Sequence, residues 1–446
     1  MMMMSSPNLF SSCHFIFFFF ISFCSSSSLI AKAQVPVSKT FTFVNQGDLL
    51  SGYLVEYKAD YRPLNISNYP FSLCFYNTTP NSFFLALGMG NATLFTSLIR
   101  WVWTANHARP VTENAKLIFG RNGNLVLVDA GGQVAWQTRT ANKGVVDIKL
   151  HPNGNLVLLD KNGGFVWQSF DHPTDTLLVG QSLYPAESSD NNKLVNGAYS
   201  VVVTRERIDL FFKSPFSSNP LRYYSLLVNT DVRNGPVKRV NFVVASGAEG
   251  PDYANQLRLE TINNFVATSV WAQPKYNSTL SMLRLGSDGN IRVYTYYEKG
   301  VLNAWEETYT VFTNSWLNGE CYLPEKCGSL GICKNSQCVA CPTPKGLAGW
   351  SEDCKLSKLP SCNSTGAATA DVNFYKIEGV EHFLNTYDSG ERPVKIEECR
   401  KKCSNDCKCV AFFYRRNTES CLLASQLNTL IKNDDSEQVA FIKYAK

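Results

Sequence analysis

The sequence predicts a mainly β protein whose last third is stapled by disulfides, and three observations carry this. First, one pattern occurs twice in tandem, 31 residues apart. Gly123-Asn124-Leu125-Val126-Leu127 leads to Trp136-Gln137-Thr138, and Gly154-Asn155-Leu156-Val157-Leu158 leads to Trp167-Gln168-Ser169. Each unit holds an Asn-Gly turn, an alternating apolar strand, a Gly-Gly reversal and a second strand ending in Trp, so one supersecondary unit is being reused. Second, Trp103 ends a further strand-like run, and three Trp-ended units imply three small sheets around an aromatic centre, because a lone hairpin cannot bury such faces. Third, twelve of the 15 cysteines lie between Cys321 and Cys421.

Residues 1–33 read as a signal peptide: Phe15 to Phe23 is largely apolar, and Ala31-Lys32-Ala33 supplies a small-residue cleavage site before Gln34. Its n-region has no Lys or Arg. The competing reading, a membrane anchor, needs roughly 20 apolar residues, and this run is shorter. An oxidising compartment then makes the remaining cysteines a disulfide framework. Five sequons, at Asn65, Asn77, Asn91, Asn277 and Asn363, fit N-glycosylation there. With 446 residues, 44% of them hydrophobic, the chain can bury several cores, and about two to four domains are expected. The net charge of +5 is dispersed, which argues against a nucleic-acid surface.

Residues 34–184 form the first expected domain. Its early strands are Tyr53 to Tyr57, Phe71 to Phe75 and Phe83 to Leu87. The repeats, with the run Trp167-Gln168-Ser169-Phe170-Asp171-His172-Pro173-Thr174-Asp175-Thr176-Leu177-Leu178, resemble the bulb-type (monocot mannose-binding) lectin domain. More closely, they resemble its form in S-locus glycoproteins and secreted plant epidermis glycoproteins. The resemblance implies a β-prism of three four-stranded sheets. Asp171 to Asp175 is read as a turn rather than a metal or catalytic cluster, since Pro forces a turn and Asp and Thr side chains bond nearby amides.

Residues 185–318 are strand-rich and contain a worn third copy, Ser287-Asp288-Gly289-Asn290-Ile291-Arg292-Val293-Tyr294, so the resemblance implies a second prism. Residues 319–357 carry six cysteines in a piece too small for its own apolar core. Zinc ligation through Cys338 and Cys341 competes with disulfide bonding, but no second close pair or His follows. The run Cys327 to Cys333 resembles the EGF-like module of S-domain proteins, and that order implies Cys321–Cys333, Cys327–Cys338 and Cys341–Cys354. In residues 358–446, Val394 to Ser404 reads as a short helix with Cys399 and Cys403 on one face. Together with the strand after Cys407 it resembles a PAN/apple domain, an interaction module in its families. That resemblance implies Cys399–Cys421, Cys403–Cys409 and Cys362–Cys407. Cys74 is left unpaired, expected as a buried thiol among Phe71, Leu73 and Phe75, with an intermolecular bridge as the alternative.

No enzyme signature is present. There is no Gly-x-Ser-x-Gly elbow, no His-Glu-x-x-His and no phosphate loop, and Asp388-Ser389-Gly390 lacks the partner an aspartic-protease dyad requires. No metal and no cofactor are expected. The lectin family's sugar site reads Gln-x-Asp-x-Asn-x-Val-x-Tyr along one strand, where alternate residues share a face. The first copy places Gly120, Asn122, Asn124, Val126 and Val128 there; the second places His151, Asn153, Asn155, Val157 and Leu159; the third places Gly286, Asp288, Asn290, Arg292 and Tyr294. Asn122, Asn124, Asn153, Asn155, Asp288, Asn290 and Tyr294 are therefore candidate carbohydrate-binding residues in degenerate sites. The expectation is a secreted cell-wall or apoplastic glycoprotein that binds carbohydrate or protein. Its partners are wall glycans or extracellular proteins, without nucleic acid or a membrane span. A mannose-type lectin of altered specificity and a wall-acting hydrolase are the alternatives.

Overall fold

A computed structural model describes residues 34–51, 54–90, 98–185, 193–228, 231–245, 255–272, 280–297, 305–313, 319–359, 372–433 and 435–445. The leader, Asn91, Asn277, Cys362 and Asn363 lie outside the described residues.

Alternation in the first repeat becomes strands Leu125–Val128 and Val134–Gln137, which join Lys116–Phe119 and Phe41–Val44 in one antiparallel sheet. The second repeat forms Leu156–Asp160 and Phe165–Gln168 beside Val145–Leu150. A third sheet runs Asp60–Asn68, Phe71–Thr79, Ser82–Met89 and Arg100–Thr104. Inward residues of all three sheets, among them Leu73, Leu85, Leu117, Leu127, Leu156 and Leu158, share one core. At its centre Trp103, Trp136 and Trp167 meet edge to face in a closed triangle, with centroids 5.8, 6.1 and 5.8 Å apart. Edge-to-face contact sets the positive rim of each ring against the negative face of the next.

A second three-sheet unit follows. Its sheets run Lys193–Asn196, Tyr199–Val203, Arg207–Phe212, Leu221–Val228; Ser182–Leu183, Val237–Val244, Asn255–Thr261, Val266–Ala272; and Thr176–Leu178, Ser281–Leu285, Ile291–Tyr296, Trp305–Thr310. Thr176–Leu178 and Ser182–Leu183 thus cross the boundary placed at residue 184 and complete sheets of the second unit. Ser281–Leu285 is buried along its whole length because it lies between two cores. Leu283 and Leu285 enter the second, whereas Met282 enters the first.

One early strand departs from expectation. Val55 makes only a bridge to Ile99, and Glu56–Lys58 is a 3-10 turn. The Glu56 carboxylate accepts from Arg100 Nη1 at 2.9 Å, Arg284 Nη1 at 2.6 Å and the Trp101 backbone N–H at 3.0 Å. That inward pull replaces strand pairing. Cys74 is a free, buried thiol, but strand alternation places it opposite Phe71, Leu73 and Phe75. Its neighbours are Val55, Tyr61, Tyr76, Ala86, Ile99 and Trp101. This sheet is covered on both faces.

In the C-terminal third, Cys321–Cys333, Cys327–Cys338 and Cys341–Cys354 staple a small sheet. Its strand Leu330–Lys334 pairs in parallel with Asn428–Lys432, so residues 319–357 and 358–446 share one five-stranded sheet. The helix α1, Ile396–Asn405, is the one α-helix among the described residues. It carries Glu397 and Glu398 in its first turn, where the helix dipole favours negative charge. Cys399–Cys421 ties it to a four-stranded sheet and Cys403–Cys409 closes its C-terminal end. Cys407 is also disulfide-bonded. No helix among the described residues is long and apolar enough to cross a membrane.

Candidate carbohydrate sites

In each copy the turn, Asn-Gly in the first two and Asp-Gly in the third, needs a glycine. Gly123, Gly154 and Gly289 have φ of 78°, 84° and 80°, a region that costs a side chain dearly. A Cβ on Gly154 would also sit 2.6 Å from Leu178, and one on Gly289 2.6 Å from Tyr199.

The polar candidates flank these turns, and the structure shows where their hydrogen-bonding capacity goes. Asn122, Asn153 and Asp288 each accept, through Oδ1, the backbone N–H two residues on, at 3.1, 3.2 and 3.1 Å. Asn124, Asn155 and Asn290 are buried and act as staples. Asn124 Nδ2 donates to Gln137 Oε1 at 2.9 Å, while its Oδ1 accepts from Thr138 Oγ1 and the Thr140 N–H, both at 3.0 Å. Asn155 repeats this with Gln168 at 2.8 Å and with Ser169 and Phe170 at 3.3 Å. Asn290 Nδ2 donates to the Phe312 carbonyl at 2.9 Å and its Oδ1 accepts the Phe312 N–H at 3.1 Å. Both amide atoms of Asn124, Asn155 and Asn290 thereby have partners within the fold, each tying its turn to a later segment of the chain. The repeated Gln/Thr/Ser after each Trp was the sequence signal for this role.

In the third copy, Arg292 closes on Asp288 through two hydrogen bonds, 2.6 and 3.0 Å. The pairing raises the Arg292 pKa. For Asp288, burial pushes the carboxyl up, but the Arg292 contacts outweigh it and the net shift is down. Tyr294 lies under a different cation, the Arg100 guanidinium 4.4 Å from its ring centre. Val126 is half-buried and Val157 fully buried. The structure therefore gathers each copy's residues on one strand-and-turn, with the buried Asn124, Asn155 and Asn290 and, in the third copy, Asp288 already engaged within the fold. Among the described residues no cluster of three or more His, Cys, Asp or Glu is placed to hold a metal. Of the sequons, Asn65 is exposed, whereas Asn77 is 5% exposed inside a central strand.

The profile described as D-mannose binding lectin matches residues 100–197, and that of the PAN-like domain matches 354–427. EP1-like glycoprotein 4 of Arabidopsis thaliana is 44% identical, over 93% of this chain and 93% of its own length. The chain belongs to the EP1-like glycoproteins. A second member of this group, the epidermis-specific secreted glycoprotein EP1 of Daucus carota, is 47% identical over 77% of this chain and 92% of its own. A G-type lectin S-receptor-like serine/threonine-protein kinase of Arabidopsis thaliana is 25% identical over 80% of this chain and 42% of its own length. In this EP1-like chain the bulb-lectin and PAN modules lie in series.

A cleft of about 530 Å³ lies elsewhere. It opens between the Trp101–Trp103 strand of the first unit and residues 193–197 of the second, with Tyr76, Trp101 and Trp103 below and Tyr57, His107 and Lys193 at the rim. No local pattern reveals it, because its facing walls, Trp101–Trp103 and residues 193–197, are separated by about ninety residues of sequence.

Proposed function

We propose that this chain is a secreted, N-glycosylated protein of the plant cell wall or apoplast that binds carbohydrate or protein rather than catalysing a reaction, and that its three repeat turns have ceased to be mannose sites. One observation carries the reading: Asn124, Asn155 and Asn290 each satisfy both amide atoms within the fold. A sugar would have to break these bonds before making its own, and each buried group left unpaired costs about 1–3 kcal/mol. Kinship with a glycoprotein named as secreted and epidermis-specific supports the location.

The test incubates the secreted protein with isolated cell walls and measures retention, mannose titration heat and release of soluble sugar. Retention without catalytic sugar release and without mannose heat is expected. Turnover on wall polysaccharide would replace the proposal with a hydrolase, and saturable mannose binding would return the repeats to lectin sites.

A further inference from the structure

We infer that the cleft between the two three-sheet units is a binding site for an uncharged oligosaccharide. Its volume, about 530 Å³, lies within the roughly 300–1,000 Å³ of small-molecule sites. The walls are aromatic: Trp101 stacks on Tyr76 with centroids 4.2 Å apart and planes 12° from parallel, and Trp103 and Trp136 continue the lining. Pyranose rings present flat C–H faces that pack on such surfaces, and their hydroxyls need donors and acceptors close by. Both are present. The Trp101 indole N–H is buried and has no acceptor among the described residues, a condition that native structures rarely leave without a purpose. Asp175 supplies an acceptor and Lys193 and His107 supply rim groups. One carboxylate and one ammonium leave the lining without net charge, which favours a neutral ligand over an anionic one.

Tyr57 adds a second, independent observation. It is 59% exposed at the rim and sits at φ 64°, ψ 13°, a left-handed conformation unusual for a bulky residue. The clamp on Glu56 holds the backbone there. Strain of this kind persists where the surrounding structure over-determines it, and here it leaves a large aromatic ring at the cleft mouth. A site open along its rim, shared by two units, suits an extended chain of sugars better than a single one.

The assignment rests on the binding role proposed for the chain. The test titrates the full mature protein with cellotetraose, xylotetraose and mannotetraose, read by tryptophan emission and calorimetry. At least one should saturate and shift the emission. Tyr57→Gly removes the ring while suiting the left-handed backbone, and should weaken binding roughly tenfold, about what one lost ring contact costs; Lys193→Ala should weaken it less. Binding unaffected by Tyr57→Gly overturns the site. Wall retention with no tetrasaccharide binding, or retention abolished by protease treatment of the walls, also overturns it while leaving a binding function intact. Absence of both retention and tetrasaccharide binding removes both proposals.

Discussion

Arg284, on a strand of the second three-sheet unit, donates to Glu56 of the first at 2.6 Å across 228 residues of sequence. Both side chains are almost wholly buried, with 7% and 11% exposure. Arg284 also donates from Nε to Thr176 Oγ1 at 3.0 Å and from Nη2 to the Trp101 carbonyl, and Asp175 lies 3.9 Å away. The cation thus fastens the two units and, through Glu56, sets the turn that carries Tyr57.

Removing one partner of a buried pair leaves the other charge without compensation, at about 3–5 kcal/mol. Arg284→Met should therefore lower stability by about that amount, seen as a reduced midpoint in urea unfolding. Glu56→Gln keeps hydrogen-bonding atoms and should cost less. Equal, negligible losses would show that the units hold together without this cluster.

The Arg292–Asp288 pair invites a direct trial of the third copy. Arg292→Val restores the valine of the lectin pattern and frees Asp288, yet Asn290 stays committed to Phe312 and Tyr294 stays under Arg100. Mannose titrated into Arg292→Val should still give no heat at millimolar concentration. Saturable binding would show that the ion pair alone had closed the site.

Burial pushes the Cys74 thiol up to about 12, against a weaker opposing hydrogen bond from Ser72. The thiolate is the reactive form, so Cys74 should resist alkylation in the native protein at pH 8 and react once the chain is unfolded. Mass spectrometry of labelled protein reads this. Native labelling, or a reducible dimer lost in Cys74→Ser, would place the thiol at a surface.

His382 is buried against Phe383 and Phe413 at 4.3 and 5.2 Å. Burial lowers its pKa from 6.5 to about 3, opposed by hydrogen bonding to the backbone at Leu427 and Gln426. The unfolded chain therefore takes up a proton near pH 6.5 that the native chain refuses until about pH 3. This contribution is complete above pH 6.5 and is lost as pH falls toward 3, by about 1.4 kcal/mol per unit. The adjacent Glu381 carboxyl is raised, chiefly by burial against an opposing Arg415, so it titrates with the opposite sign. Urea unfolding across this range should show a shallower acid loss in His382→Gln than in the unaltered protein.

Much of the design was legible along the chain. Asn-Gly turns, period-two alternation and repeated Trp are local signals, because backbone sterics and strand geometry act over a few residues. They placed Trp103, Trp136 and Trp167 at a common centre, whereas the loss of the lectin Tyr at Val128 and Leu159 was legible only through the family resemblance. Helix α1 followed from its cysteine spacing and lies within two residues of its expected limits. Other features depended on which surfaces meet. Cys74 is buried as expected but not among Phe71, Leu73 and Phe75, since a sheet covered on both faces reads as apolar throughout and the even-numbered Cys74 enters the opposite core. Of the strand expected over Tyr53 to Tyr57, Tyr53 lies outside the described residues, and residues 54–57 yield to a turn because Glu56 is drawn to two arginines, one of them far along the sequence. Thr176–Leu178 follows the first repeats in sequence yet completes a sheet of the second unit, because burying Leu177 there satisfies an edge that local pattern does not reveal. The cleft has the same origin: its walls are made when two separately patterned units bury their shared charge and leave aromatic faces beside it.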